Sequence, residues 1–140
     1  MKSLKKRIVI ANSTPFMRNS EGLWLAPSEW KSLRQWWSFL GNTILLKPQR
    51  SGSKPMNGWL KIPANVTVIP LCLEDDSRLT RRRQALRMAS AILRPNDVLL
   101  ARMPNYEAAW CYRVSRRKNI STIVELHGDW ETSVLEEDNR

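Results

Sequence analysis

One histidine, two cysteines and five glycines in 140 residues exclude several kinds of site at once. A lone His127 without a cluster of other ligands is a poor metal set. Cys72 and Cys111 lie far apart in apolar contexts with no CxxC spacing, so they read as reduced packing residues and not as a disulfide or a zinc site. Neither GxGxxG nor GxxxxGK[ST] follows the first apolar run, which argues against nucleotide binding through a glycine loop. No Ser or Cys occupies a nucleophile elbow. No metal or other cofactor is expected. No apolar run approaches the ~20 residues that span a bilayer. Behind the basic Met1 to Arg7, the apolar patch Ile8 to Ala11 is too short for a signal-peptide core, so a cytoplasmic protein is expected.

Acids are scarce as well. Asp and Glu number 13 against 23 Lys and Arg, a net charge of +10, and six of the acids fall in the last sixteen residues: Glu125, Asp129, Glu131, Glu136, Glu137 and Asp138. The body of the chain is therefore more basic than its total. Such a surface attracts polyanions, whether nucleic acid, anionic membrane or phosphorylated ligands. No RNA- or DNA-binding signature accompanies the charge, so no specific nucleic acid is expected.

What is present is a core. A hydrophobic fraction of 42% suits one globular domain. Arg7 to Ala11, Thr43 to Leu46, Val66 to Leu73, Asp97 to Ala101 and Ser121 to Leu126 read as short buried strands. Pro70 belongs near an edge or a strand end. Three helices lie between them: one opening at Pro27-Ser28-Glu29 with Ser28 as N-cap and closing at Gly41-Asn42, one from Asp75-Asp76-Ser77 to about Leu93, and one from Tyr106 to about Lys118. Asn12 to Ala26 and Lys47 to Lys61 read as loops. The alternation predicts an α/β fold: a Rossmann-like, doubly wound, mostly parallel sheet of about five strands with helices on both faces.

In the common 3-2-1-4-5 strand order, three polar tips meet at the carboxyl edge. Asn12-Ser13-Thr14 follows the first strand, Arg102 the fourth, and His127-Gly128-Asp129 the fifth. Each tip has a plainer reading. Asn12 to Thr14 suit a turn, Arg102 suits the surface, and His127 suits a structural hydrogen bond. Asp129 either orients the imidazole or caps a following helix.

Arg102-Met103-Pro104 after a strand, and Ile123-Val124-Glu125-Leu126-His127-Gly128-Asp129-Trp130 after the next helix, resemble the N-terminal domain of family-4-type glycosyltransferases of the GT-B fold. The resemblance covers most of the chain in layout, with its motifs confined to about Leu99 to Trp130. It implies an acceptor-binding half-enzyme that transfers sugar from a sugar nucleotide to a cell-envelope polysaccharide or glycolipid. His127 is then the catalytic candidate. Asn12, Ser13, Thr14, Gly22, Arg102, Gly128 and Asp129 are the substrate-binding candidates. The family's Gly-Gly acceptor loop is represented here by Glu21-Gly22 alone. The partner implied is a C-terminal donor-binding domain, in cis or in trans, for which 140 residues leave no room. This chain alone is expected to be inactive in complete transfer.

The helix from Pro27 carries Trp30, Leu33, Trp36, Trp37 and Leu40 on one arc, with Lys31 and Arg34 off it. Such a helix packs on the sheet or lies on an anionic membrane at the inner face, where Trp30, Trp36, Trp37, Lys31 and Arg34 would be the contacts. Arg81-Arg82-Arg83 reads as a solvated helix face or as a lipid contact. The rival to the transferase reading is a non-catalytic basic module that binds nucleic acid or an anionic membrane; a degenerate fragment is the third option.

Overall fold

The computed structural model describes residues 6–40 and 43–126. His127, Gly128 and Asp129 lie outside the described residues, as does the predicted helix closure at Gly41-Asn42. Five strands form a parallel sheet: β1 (Ile8–Ala11), β4 (Thr43–Gln49), β6 (Thr67–Leu73), β7 (Val98–Met103) and β8 (Ser121–Leu126). Their order is β6-β4-β1-β7-β8, which is 3-2-1-4-5 counted along this sheet. The fold is α/β and doubly wound, as predicted. Pro70 falls on β6, an edge strand.

Apolar side chains on both faces explain why these strands sit in the middle of the molecule. On one face Val9, Leu46, Leu99 and Ala101 pack under α2 (Arg78–Ile92) and α3 (Tyr106–Arg117). On the other, Ile10, Leu45 and Leu100 pack under α1 (Pro27–Leu40). α1 starts two residues earlier than a Ser28 cap would place it. Pro27 takes its first position, where a missing N–H costs nothing, and the Trp30 N–H donates to the Ala26 carbonyl at 2.9 Å. Ser28 therefore lies inside the first turn and does not cap it. Ser77 caps α2 by accepting from the Thr80 N–H, and Asn105 caps α3 by accepting from the Ala108 N–H.

The tryptophans of α1 turn toward the sheet. Leu33 is fully buried and Trp37 is 5% exposed, while Trp30 and Trp36 pack half-buried against the same core. Trp30 meets Trp37 edge to face at 5.7 Å and donates its indole N–H to the Lys61 carbonyl. Trp37 is thus a core residue and not a membrane contact. The rim of the sheet needs apolar cover, and the arc supplies it. Lys31 and Arg34 occupy the solvent side, with Arg34 stacked over the Trp30 ring.

Two segments read as loops carry more order than predicted. A small antiparallel sheet joins β2 (Met17–Asn19), β3 (Gly22–Leu25) and β5 (Leu60–Lys61) in the order β2-β3-β5. Gly22 belongs to this sheet. Its φ is +147°, a backbone conformation that side chains rarely adopt, which is the reason for glycine at the start of β3. Ahead of the hairpin, Phe16 is completely buried in the α1-side core. Its N–H donates to the Pro48 carbonyl at 3.1 Å, and its carbonyl accepts from the Arg50 N–H at 2.9 Å. Both cysteines are buried and free. Burial raises both thiol pKa values, that of Cys72 to about 11, so the thiols stay protonated.

Candidate functional site

The sheet registers bring four polar side chains into one row. Ala11 pairs with Leu46 on one side and with Ala101 on the other, and Ala101 pairs with Val124. One residue further on, Lys47, Asn12, Arg102 and Glu125 therefore lie side by side across β4, the end of β1, β7 and β8. The Asn12 N–H continues the ladder to the Leu46 carbonyl. Because side chains alternate, these four share the face of Ile10, Leu45 and Leu100, two residues earlier on their strands. That is the α1 face. The row forms a polar rung just beyond the apolar ones, at the carboxyl edge and across the switch point where ligands bind in open α/β sheets.

The first turns of α1 close over this rung. Glu29 and Ser32, three residues apart on the helix, reach it from above. Glu29 Oε1 accepts from the Asn12 amide and from Lys47 Nζ, the latter at 2.8 Å. Lys47 Nζ also donates to Asn12 Oδ1 at 2.5 Å. Arg102 Nη1 lies 3.8 Å from the same Glu29 oxygen, while Nη2 donates to the Ser32 hydroxyl and lies 3.5 Å from Glu125 Oε1. The Arg102 carbonyl accepts from the Asn105 amide at 2.6 Å, tying the rung to the N-cap of α3.

The burial is deep. The Lys47 side chain is 1% exposed. Desolvation pulls its pKa down to about 8; Glu29 acts in the opposite direction, and the nearby Arg102 charge adds to the lowering. Burial pushes the Glu29 carboxyl up, but Lys47, Asn12 and Arg102 together outweigh it and hold the carboxyl below its ordinary value. Glu29 is therefore ionised at neutral pH: a firm hydrogen-bond acceptor and a weak proton acceptor.

Above the rung opens a cleft of about 420 Å³. Asn12 and Thr14 line one wall, Ser28, Glu29 and Ser32 the helix wall, and the run from Arg102 to Asn105 the third. The Met103–Pro104 peptide in that run is cis. A larger hollow of about 620 Å³ lies on the other side of the sheet, between the start of α3 and β8, but its lining is mostly apolar. The smaller cleft holds the polar chemistry. Its lining carries one cation, Arg102, and one carboxylate, Glu29, and the rung behind adds Lys47 and Glu125, so among the described residues the formal charges cancel. Hydroxyl and amide groups dominate what remains. A neutral ligand rich in hydroxyls suits this lining better than a diphosphate, which needs a net positive cradle.

Of the residues expected from sequence, Asn12, Thr14 and Arg102 meet at this cleft. Ser13 is half-buried beside it but is not among its lining residues, and Gly22 belongs to the small sheet. Four side chains of the rung and of the α1 contacts over it were missed. Glu29 passed as a helix-start acid, Lys47 was assigned to a loop with the turn formers that follow it, Glu125 was counted only among the late acids and in the resembling motif, and Ser32 was given no role. The available signal was alternation: Lys47 lies two residues after Leu45, as Asn12 follows Ile10 and Arg102 follows Leu100. Among the described residues, no group of three or more His, Cys, Asp or Glu side chains is placed to hold a metal ion. No helix there is long and apolar enough to cross a membrane.

No protein-family model matches this chain, and comparison with curated protein sequences finds no match. Two crystal structures of the C-terminal domain of a hydrogenase from Pyrococcus furiosus are similar in fold. One has 11% identity and a TM-score of 0.50 over 87% of this chain and 92% of that chain. The other has 9% identity and a TM-score of 0.51 over 86% of this chain and 92% of that chain. At these identities the likeness is one of fold, and it places this chain among Rossmann-like α/β domains.

Proposed function

We propose that this chain is the acceptor-side domain of a GT-B-type glycosyltransferase and that its cleft holds a saccharide acceptor. The observation that carries the reading is the rung of Lys47, Asn12, Arg102 and Glu125, whose two cations are met by Glu125 and by Glu29 of α1, beneath a cleft whose lining includes hydroxyl and amide groups. Sugar hydroxyls both donate and accept. Glu29 offers an ionised acceptor fixed by three neighbours, while Arg102, Ser28, Ser32 and Thr14 offer donors. Lys47 is buried behind Glu29 and acts through it as a positioning residue. In this reading the donor nucleotide and the leaving diphosphate belong to a second domain, which joins in cis or in trans to complete the active site.

The reading separates two ligand classes. Ligand-observed saturation-transfer NMR with neutral mono- and disaccharides is expected to give signals that Thr14→Val weakens, with a rise in Kd of roughly fivefold, the worth of one hydrogen bond. Uridine diphosphate alone is expected to give none. Binding of the nucleotide without any saccharide would overturn the assignment.

A further inference from the structure

We propose that the corner where α2 and α3 begin is a docking surface for an anionic lipid bilayer, with Leu79 and Tyr106 entering the headgroup layer and Arg78, Arg82 and Arg83 meeting lipid phosphates. This surface lies on the opposite face of the sheet from the cleft's α1 wall and does not depend on the saccharide reading.

α2 carries five arginines and no acid. Arg81 turns inward to Glu107, which is 1% exposed, at 2.5 Å. Arg78, Arg82, Arg83 and Arg87 point to solvent. The only acid of α3 is that same buried Glu107, and Arg113, Arg116 and Arg117 are exposed on it. Among the described residues of these two helices, then, exposed charge has one sign. Three carboxylates precede the α2 cap: Glu74 is paired with Arg50, Asp75 accepts from the Ser51 hydroxyl at 2.5 Å, and Asp76 is half-buried.

Apolar exposure coincides with this charge. Leu79 is 58% exposed and stands one turn before Arg82 and Arg83. Tyr106, 50% exposed, opens α3, and the Arg78 guanidinium lies 4.8 Å above its ring, joining the two helix starts into one patch. The patch runs on into the 620 Å³ apolar hollow formed with Met103, Ala109, Val124 and Leu126. Large aliphatic side chains ringed by arginines gain from the boundary between headgroups and acyl chains. They gain nothing from a phosphodiester backbone, which rewards the cations alone. That difference favours a bilayer over nucleic acid.

Sedimentation of the whole chain with phosphatidylcholine vesicles, with and without phosphatidylglycerol, tests the proposal. Binding is expected only to the phosphatidylglycerol vesicles. Leu79→Glu and the double variant Arg82→Glu/Arg83→Glu are each expected to weaken it by about tenfold or more. All three positions are exposed, and an unchanged circular dichroism spectrum confirms the fold. Equal binding to both vesicle types, variants that bind like the parent, or binding to duplex RNA with none to vesicles would each overturn it. No saccharide is present in this experiment, so its failure and that of the cleft assignment are distinguishable.

Discussion

Glu29→Gln is expected to lower the unfolding free energy at pH 7 by about 3 kcal/mol, because it leaves a buried ammonium without its counterion. Lys47 Nζ has Glu29 Oε1 at 2.8 Å and Asn12 Oδ1 at 2.5 Å, and its side chain is 1% exposed. With glutamine at position 29 only neutral acceptors remain beside the ammonium, and Arg102 stays nearby as a like charge. The double variant Glu29→Gln/Lys47→Met is expected to recover most of the loss. Replacing both partners of a buried pair with neutral groups is often harmless, whereas stranding one is not. Urea unfolding of the parent and both variants measures this. A double variant no more stable than Glu29→Gln would show that Lys47 is not held as an ion.

The same pair sets a pH dependence. The folded pKa of Lys47 is lowered from 10.5 to about 8. Between those two values the unfolded chain holds a proton that the folded chain has released, so the unfolded state binds more protons and stability rises with pH. Below pH 8 both states are protonated, and Lys47 contributes no slope. A rise across this alkaline window of at most about 3 kcal/mol is expected in the parent. In Glu29→Gln the folded pKa falls further, and the rise begins at lower pH. Glu29 has the opposite sign: its folded pKa is lowered, so it contributes stability above its unfolded value, and that contribution is lost as pH falls through the folded one.

Phe16→Ala is expected to cost about 4 kcal/mol, a large part of the roughly 5–15 kcal/mol that holds a domain of this size together. Phe16 is fully buried among Ile10, Leu25, Leu33 and Leu45, and its backbone is stitched to Pro48 and Arg50. Truncating the ring leaves a cavity where the Asn12 to Thr14 wall of the cleft leaves the sheet, and frees the β2–β3 hairpin. Phe16→Leu retains most of the volume and is expected to cost about 1 kcal/mol. Equal urea midpoints for the parent and Phe16→Ala would mean that the hairpin packs independently of the core.

The main sheet was legible because each of its strands is a short apolar run punctuated by polar tips, and the switch point follows from their order. Asn12 and Arg102 were legible for the same reason, each standing one step past such a run. Lys47 and Phe16 were not. Lys47 is a charged residue whose burial depends on Glu29, eighteen positions away and on another element, and no local window shows that partner. Phe16 is a lone aromatic among turn formers, and only the tertiary fold shows that it plugs the core. The tryptophans of α1 were ambiguous because one apolar arc serves a sheet and a bilayer equally well. Packing takes Trp37 into the core, while the exposed apolar side chains Leu79 and Tyr106 stand at the starts of α2 and α3.

The central question is where a saccharide binds. A ¹H–¹⁵N NMR titration of the whole chain with the best disaccharide from the ligand screen would locate it. The account predicts concentration-dependent shifts at Asn12, Thr14, Ser28, Ser32 and Asn105, the backbone positions around the cleft, with β6 and the outer face of α2 unmoved. Shifts confined to β6 and α2, or no shifts at saturating saccharide, would contradict it.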